Sequence, residues 1–158
     1  MTPRIEISNE KKLAGNKLTM SLADFRVGEL WQLFLPRRKA ISNNLTSELI
    51  SMAVYPSTYF ANFSPSNEFQ KWAAVEVSGF ENIPDEMEKF TLESGLYAVF
   101  DYKGPNTNSI FQYILGTWLP NSEYQLDDRP HFEVLGEKYK NNDPNSEEEI
   151  WIPIKPNK

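Results

Sequence analysis

The sequence contains no cysteine, so disulfides, thiolate catalysis and cysteine-ligated zinc are excluded. It holds one histidine, His131, which leaves a serine triad dependent on a single residue and makes a histidine-based metal site unsupported. There is no phosphate-binding glycine loop, no Gly-x-Gly-x-x-Gly and no Gly-x-Ser-x-Gly. No apolar run approaches the ~18 residues of a membrane span, and the start, Met-Thr-Pro-Arg-Ile-Glu-Ile, has no signal-peptide core. A cytoplasmic, non-membrane protein is therefore expected. Basic charge is scarce too. The net charge is −6, which predicts no general attraction to nucleic acid, and the run Arg37-Arg38-Lys39 fits a helix end.

What is present describes an ordinary globular chain of 158 residues, 40% hydrophobic and 24% charged, with length for one domain spanning 1–158. Aromatic residues reach 13%, a proportion that suits either a core of large side chains or a ligand cleft walled by flat rings. The acidic segment Asn141-Asn142-Asp143 to Glu147-Glu148-Glu149 lacks the central glycine and alternating carboxylates of a calcium loop. It is read as a solvated loop, and neither metal nor cofactor is expected.

Hydrophobic periodicity divides the chain into two halves of the same order. Arg4–Ile7 and Lys12–Leu18 read as a first strand, bent at Gly15, followed by a helix from about Leu30 towards Ile41 with a kink or restart at Pro36. Ile50–Tyr55 and Lys71–Gly79 follow as strands. Phe80–Glu93 reads as a connector. The second half repeats the pattern: strand Gly95–Tyr102, a helix capped by Thr107 or Asn108 and carrying Ile110, Ile114 and Trp118, then strands Pro130–Leu135 and Glu149–Ile154. The fold class is thus α+β. Two pseudo-symmetric β-α-β-β units are expected to form an antiparallel sheet, with helices on one face and a ligand cleft on the other.

Alternation along the last two strands points to a site. Ile150, Ile152 and Ile154 share an apolar face suited to packing under helices, and Trp151 takes the opposite one. Phe132 and Val134 form the apolar face of the preceding strand, leaving Glu133 opposite. Glu133 and Trp151 are therefore expected together on the helix-free side. They line a groove there, or lie on a solvated face with Lys138 or Arg129 as surface partner of the glutamate. A carboxylate among aromatic rings suits a cationic ligand, because the rings supply area and cation–π attraction and the carboxylate supplies charge.

The segments Trp118-Leu119-Pro120-Asn121-Ser122-Glu123-Tyr124, Asp127-Asp128-Arg129-Pro130-His131-Phe132-Glu133, Asp143-Pro144 and Glu149-Ile150-Trp151-Ile152-Pro153-Ile154 resemble the GyrI-like family. That family also covers the effector-binding domains of AraC-type and MerR-type bacterial regulators. Leu30-Trp31-Gln32-Leu33-Phe34 and Val54-Tyr55-Pro56 fit its N-terminal half. The resemblance implies a duplicated strand-helix-strand-strand fold with a central cleft for amphipathic, often cationic aromatic compounds, as in multidrug binding. It implies that Glu133 and Trp151 line this cleft, with Tyr55 as a third candidate. Trp72, Tyr97, Tyr102 and Trp118 line the cleft or fill the core, Trp118 being assigned to core because it completes a helical stripe. No helix-turn-helix fits before the first strand, so a stand-alone module that senses or sequesters a hydrophobic cation, without direct nucleic-acid contact, is expected. Two alternatives accompany it. One is a hydrolase opening cyclopropane-containing genotoxic compounds, with Glu133 positioning or deprotonating water. The other is a protein-interaction role of the gyrase-inhibitor kind.

Overall fold

The computed structural model describes residues 2–104, 108–136, 139 and 143–157. Thr107, Lys138, Asn141 and Asn142, which figure in the sequence expectations, lie outside them. The strands are β1 (Arg4–Ser8), β2 (Lys11–Ser21), β3 (Leu49–Val54), β4 (Glu68–Val77), β5 (Glu88–Leu92), β6 (Gly95–Lys103), β7 (Tyr124–Leu126), β8 (His131–Leu135) and β9 (Glu147–Pro156). Helix α1 (Val27–Phe34) follows β2 and α2 (Asn108–Tyr113) follows β6. The strands form one antiparallel sheet in the order β1-β6-β9-β8-β3-β4-β2-β5, with β7 paired to the end of β9.

The expected duplication is present in this order. The units β2-α1-β3-β4 and β6-α2-β8-β9 contribute strands β2, β4, β3 and β6, β9, β8, arranged head to head so that β3 meets β8 at the seam. The central pair of that seam is Ser51 opposite Glu133. Two expectations need correction. Arg4–Ile7 and Lys12–Leu18 are separate strands, and the connector Phe80–Glu93 contains β5. Each of these extra strands precedes one unit in sequence and pairs with the other, β1 with β6 and β5 with β2. Such pairing is set across the whole chain, which local periodicity cannot register.

The exchange curls the sheet. Leu92 and Gly95 are three Cα steps apart, at most about 11 Å, whereas six strand spacings would place β5 roughly 29 Å from β6 in a flat sheet. Leu13, Leu92, Trp72, Ile50, Met52, Phe132, Tyr97 and Val99 accordingly form one core cluster on the inner face. Gly15 permits the curl in β2. A Cβ there would run into the carbonyl oxygen of Ala73 and lie 2.6 Å from the Ala74 Cα, so the backbones of β2 and β4 approach as only glycine allows.

The outer face carries the helices. Leu30 and Phe34, four apart on α1, are fully buried over Ala14, Ala73, Val75 and Val77. After Phe34 the chain tightens into a 3-10 turn, Leu35–Ala40, with Pro36 near its start, where the missing N–H costs nothing. Ile110 of α2 and Ile114 of the π turn that continues it (Ile114–Trp118) cover Ala98, Phe100, Ile150, Ile152 and Ile154. Trp118 packs edge-on to Phe100 at 5.3 Å, in the core as expected, and Trp72 and Tyr97 are buried inside the curl. No helix among the described residues is long and apolar enough to cross a membrane.

Candidate functional site

The register across β8 and β9 decides where the site lies. Phe132 stands opposite Trp151 and Glu133 opposite Ile150. Directly opposed residues project to the same side of a sheet. Trp151 therefore belongs to the inner face, its indole stacked on Phe132 at 5.1 Å and 16° and set edge-on to Tyr97 at 5.7 Å. Its Nε1 donates to Glu149 Oε1 at 3.1 Å, and Glu149 also holds Arg4 at 3.1 Å. Glu133 projects with Ile150 to the outer, helix-bearing face. The structure thus separates the two residues, correcting the expectation that they share the helix-free side. The reason is physical: the curl buries the inner face as thoroughly as the helices bury the outer one, so β8 has no solvated side for alternation to detect.

Between the two helix-covered clusters the outer face has small side chains, Ser51 and Ala53, both buried. Glu133 rises beside them, only 14% exposed, with Lys71 of β4 at 3.7 Å and equally covered. That separation makes an ion pair but exceeds a hydrogen bond, so Lys71 neutralises Glu133 without clamping it. Arg129, the other partner considered for Glu133, is engaged elsewhere, with Asp127 at 2.7 Å and the carbonyls of Leu96 and Ile154. A second carboxylate joins the pair. Glu148 of β9 hydrogen-bonds to Glu133, and its carboxyl is raised to about 9 by burial first, then by the bond to Glu133 and that group's negative charge, with Lys71 acting oppositely. Glu148 Oε1 is buried and has no protein partner.

Beyond Ala53 the same face turns aromatic. Tyr55 lies on the same face as Glu133, surrounded by Tyr59 (4.6 Å), Phe60 (4.9 Å), His131 (4.9 Å) and Phe69 (5.2 Å). Tyr59 and Phe60 come from the loop after β3, which folds over the end of the sheet. The Tyr55 hydroxyl is held above its ordinary range by burial, then by Tyr59 and by the charge of Glu133. Burial, then the positive charges of Lys71 and Arg129, push His131 down to about 3, so the imidazole is a neutral wall.

A cavity lies at the opposite end of β8. The β8–β9 ladder stops at Val134–Glu149, while β8 continues along β3 to Leu135–Leu49 and β9 along β6 to Glu147–Lys103. The strands fork, and a cavity of about 670 Å³ lies in the fork, lined by Glu48, Tyr102, Val134, Gly136, Glu147 and Glu148 among others. Its size is within the ~300–1,000 Å³ typical of small-ligand pockets. Glu133 is not in its lining; Glu148 stands between the two. The sequence expectations missed both Lys71 and Glu148. Alternation offers a signal in retrospect: Lys71 is in phase with Ala73, Val75 and Val77, and Glu148 with Ile150, Ile152 and Ile154, each a charge continuing an apolar stripe.

Duplicated units on one antiparallel sheet, with two helices on one face, give the α+β fold of the GyrI-like class. The chain belongs to the Cass2 family, described as integron-associated effector binding protein, whose model matches residues 4–154. It is 29% identical over 131 residues to the transcriptional regulator BrlR of Pseudomonas aeruginosa; the match covers 81% of this chain and 46% of BrlR, so the chain spans about half of that relative. The same fold occurs in SAV2435 bound to tetraphenylphosphonium, at TM-score 0.70 and 18% identity over 98% of this chain and 94% of that one. It occurs also in the C-terminal domain of EcmrR, at TM-score 0.70 and 16% identity over 98% of each chain.

Proposed function

We propose that this protein binds a hydrophobic organic cation in the outer-face groove, with Glu133 as counter-ion and Tyr55 and its neighbouring rings as an apolar wall. The observation that carries it is the setting of Glu133: a carboxylate 14% exposed, beside buried small residues, whose cationic partner sits at 3.7 Å, beyond hydrogen-bond length. Desolvating a carboxylate is expensive without compensation, and an organic cation can supply the charge while its apolar groups fill the aromatic end. The fold shared with SAV2435, which is bound to tetraphenylphosphonium, supports this choice of ligand class.

Calorimetric titration with tetraphenylphosphonium tests it. Wild type is expected to bind, Glu133→Gln to bind at least tenfold more weakly with unchanged circular dichroism, and neutral triphenylphosphine oxide to bind poorly. Equal affinity for cation and neutral compound would show that charge plays no part. Incubation with a cyclopropane-containing alkylator, followed by mass spectrometry, decides the enzymatic alternative, for which a water-added product dependent on Glu133 is the signature.

A further inference from the structure

Building on the cation-binding proposal above, we infer that Glu148 is a second ligand-facing carboxylate that shares one proton with Glu133, so that seating a permanent cation expels this proton and binding is a cation–proton exchange. Glu133 and Glu148 come from adjacent strands, project to the same face and hydrogen-bond to each other. Two carboxyl groups can hydrogen-bond only if one proton lies between them. The duplication shows how they meet. Ala73 is opposite Ser51 as Ile150 is opposite Glu133, so Lys71 and Glu148, each two residues away, occupy equivalent places in the two halves. Both lean towards the seam and converge on Glu133 from either side.

Charge balance then dictates the exchange. With Lys71 cationic, Glu133 anionic and Glu148 protonated, the cluster is neutral. A permanent cation placed in the groove would leave it at +1 in a largely covered site. Loss of the shared proton to solvent restores neutrality, and the carboxylate so formed is the one that borders the 670 Å³ cavity. No covalent bond changes apart from that O–H. Tyr102, directly across on β6, and Tyr139, from the loop after β8, are the titratable neighbours of Glu148 besides Glu133 and Lys71, and Glu48, Lys103 and Glu147 line the same cavity. The Tyr139 hydroxyl is raised, chiefly by burial and then by Glu148 and Glu133, so it keeps its proton at neutral pH. His131 is already neutral there and has none to give.

The test is calorimetry of tetraphenylphosphonium with the intact chain at pH 7 in phosphate and in Tris, whose ionisation enthalpies differ. The dependence of binding heat on buffer should correspond to about one proton released per site, and affinity should rise by up to roughly tenfold per pH unit from pH 6 to 8. Glu148→Gln should lose the buffer dependence and flatten the pH profile, with affinity at pH 8 reduced by about tenfold. In Lys71→Met the cluster starts at −1, so the cation alone restores neutrality and proton release should fall well below that of wild type. Binding without proton release in wild type would overturn the exchange and leave the cation site standing, whereas no binding at all would overturn the site itself. Release that survives Glu148→Gln would place the proton on another group and refute the inference. The wild-type buffer comparison decides the matter even if a variant fails to fold.

Discussion

Replacing Glu148 with glutamine is expected to remove most of a decline in stability that the wild type shows in mildly alkaline solution. An unfolded glutamate titrates near 4.5, whereas in the folded chain burial, the bond to Glu133 and its charge hold Glu148 up to about 9. Between those limits the folded state keeps a proton that the unfolded state has lost, so stability present below 4.5 is lost progressively as pH rises through 9. The ceiling is about 1.4 kcal/mol per pH unit for one whole proton. His131 has the opposite sign: its folded value of about 3 lies below the ordinary 6.5, so its contribution is present above 6.5 and lost as pH falls. The two slopes oppose each other between 4.5 and 6.5, and of the two only Glu148 acts above. Glu148 is partly exposed, so solvent screening takes roughly half of the ceiling, leaving about 1 kcal/mol between pH 7 and 8.5. Urea unfolding at those two pH values measures it. With an m-value of about 2 kcal/mol/M, the wild-type midpoint should fall by about 0.5 M and that of Glu148→Gln by much less. Equal falls in the two proteins would refute a proton held at Glu148.

Two further outcomes follow from the packing. Trp151→Ala is expected to cost about 3 kcal/mol in urea unfolding, because it removes an indole stacked on Phe132 and bonded to Glu149, while Trp151→Phe should leave tetraphenylphosphonium affinity within about twofold of wild type. Gly15→Ala should destabilise the fold by about 2 kcal/mol or more, since its methyl group meets the backbone of β4; a thermal midpoint unchanged from wild type would show that β2 and β4 separate more easily than their register implies.

Local pattern made much of this fold legible. Leu30 and Phe34 at helical spacing and the alternation in Gly95–Tyr102 required only neighbours in sequence, and so did the restart at Pro36. The exchanged strands were not legible, because Ile5 and Ile7 remain exposed and their strand is defined by partners on β6 nearly a hundred residues away. Glu133 and Tyr55 were legible as residues, and the structure places both on one face. The face itself was not. Phe132 and His131 are both buried although they point to opposite sides, so hydrophobicity along β8 carries no information about direction. The run Glu147-Glu148-Glu149 concealed its middle member for a related reason: three like charges suggest a solvated loop, yet pairing with β6 sets Glu148 across from Tyr102, on the outer face in phase with Ile150.

The crossing of β1 and β5 to opposite halves has a mechanical result. A hinge along the β3–β8 seam would have to tear two ladders at the far margins, so the halves cannot gape apart as jaws do. In the proposed site, any adjustment to a ligand would then fall to long side chains such as Lys71, against this frame. Severing the chain near Asn82 would leave each fragment with an orphan strand whose mate is on the other, which makes the pair a natural candidate for reassembly from two pieces.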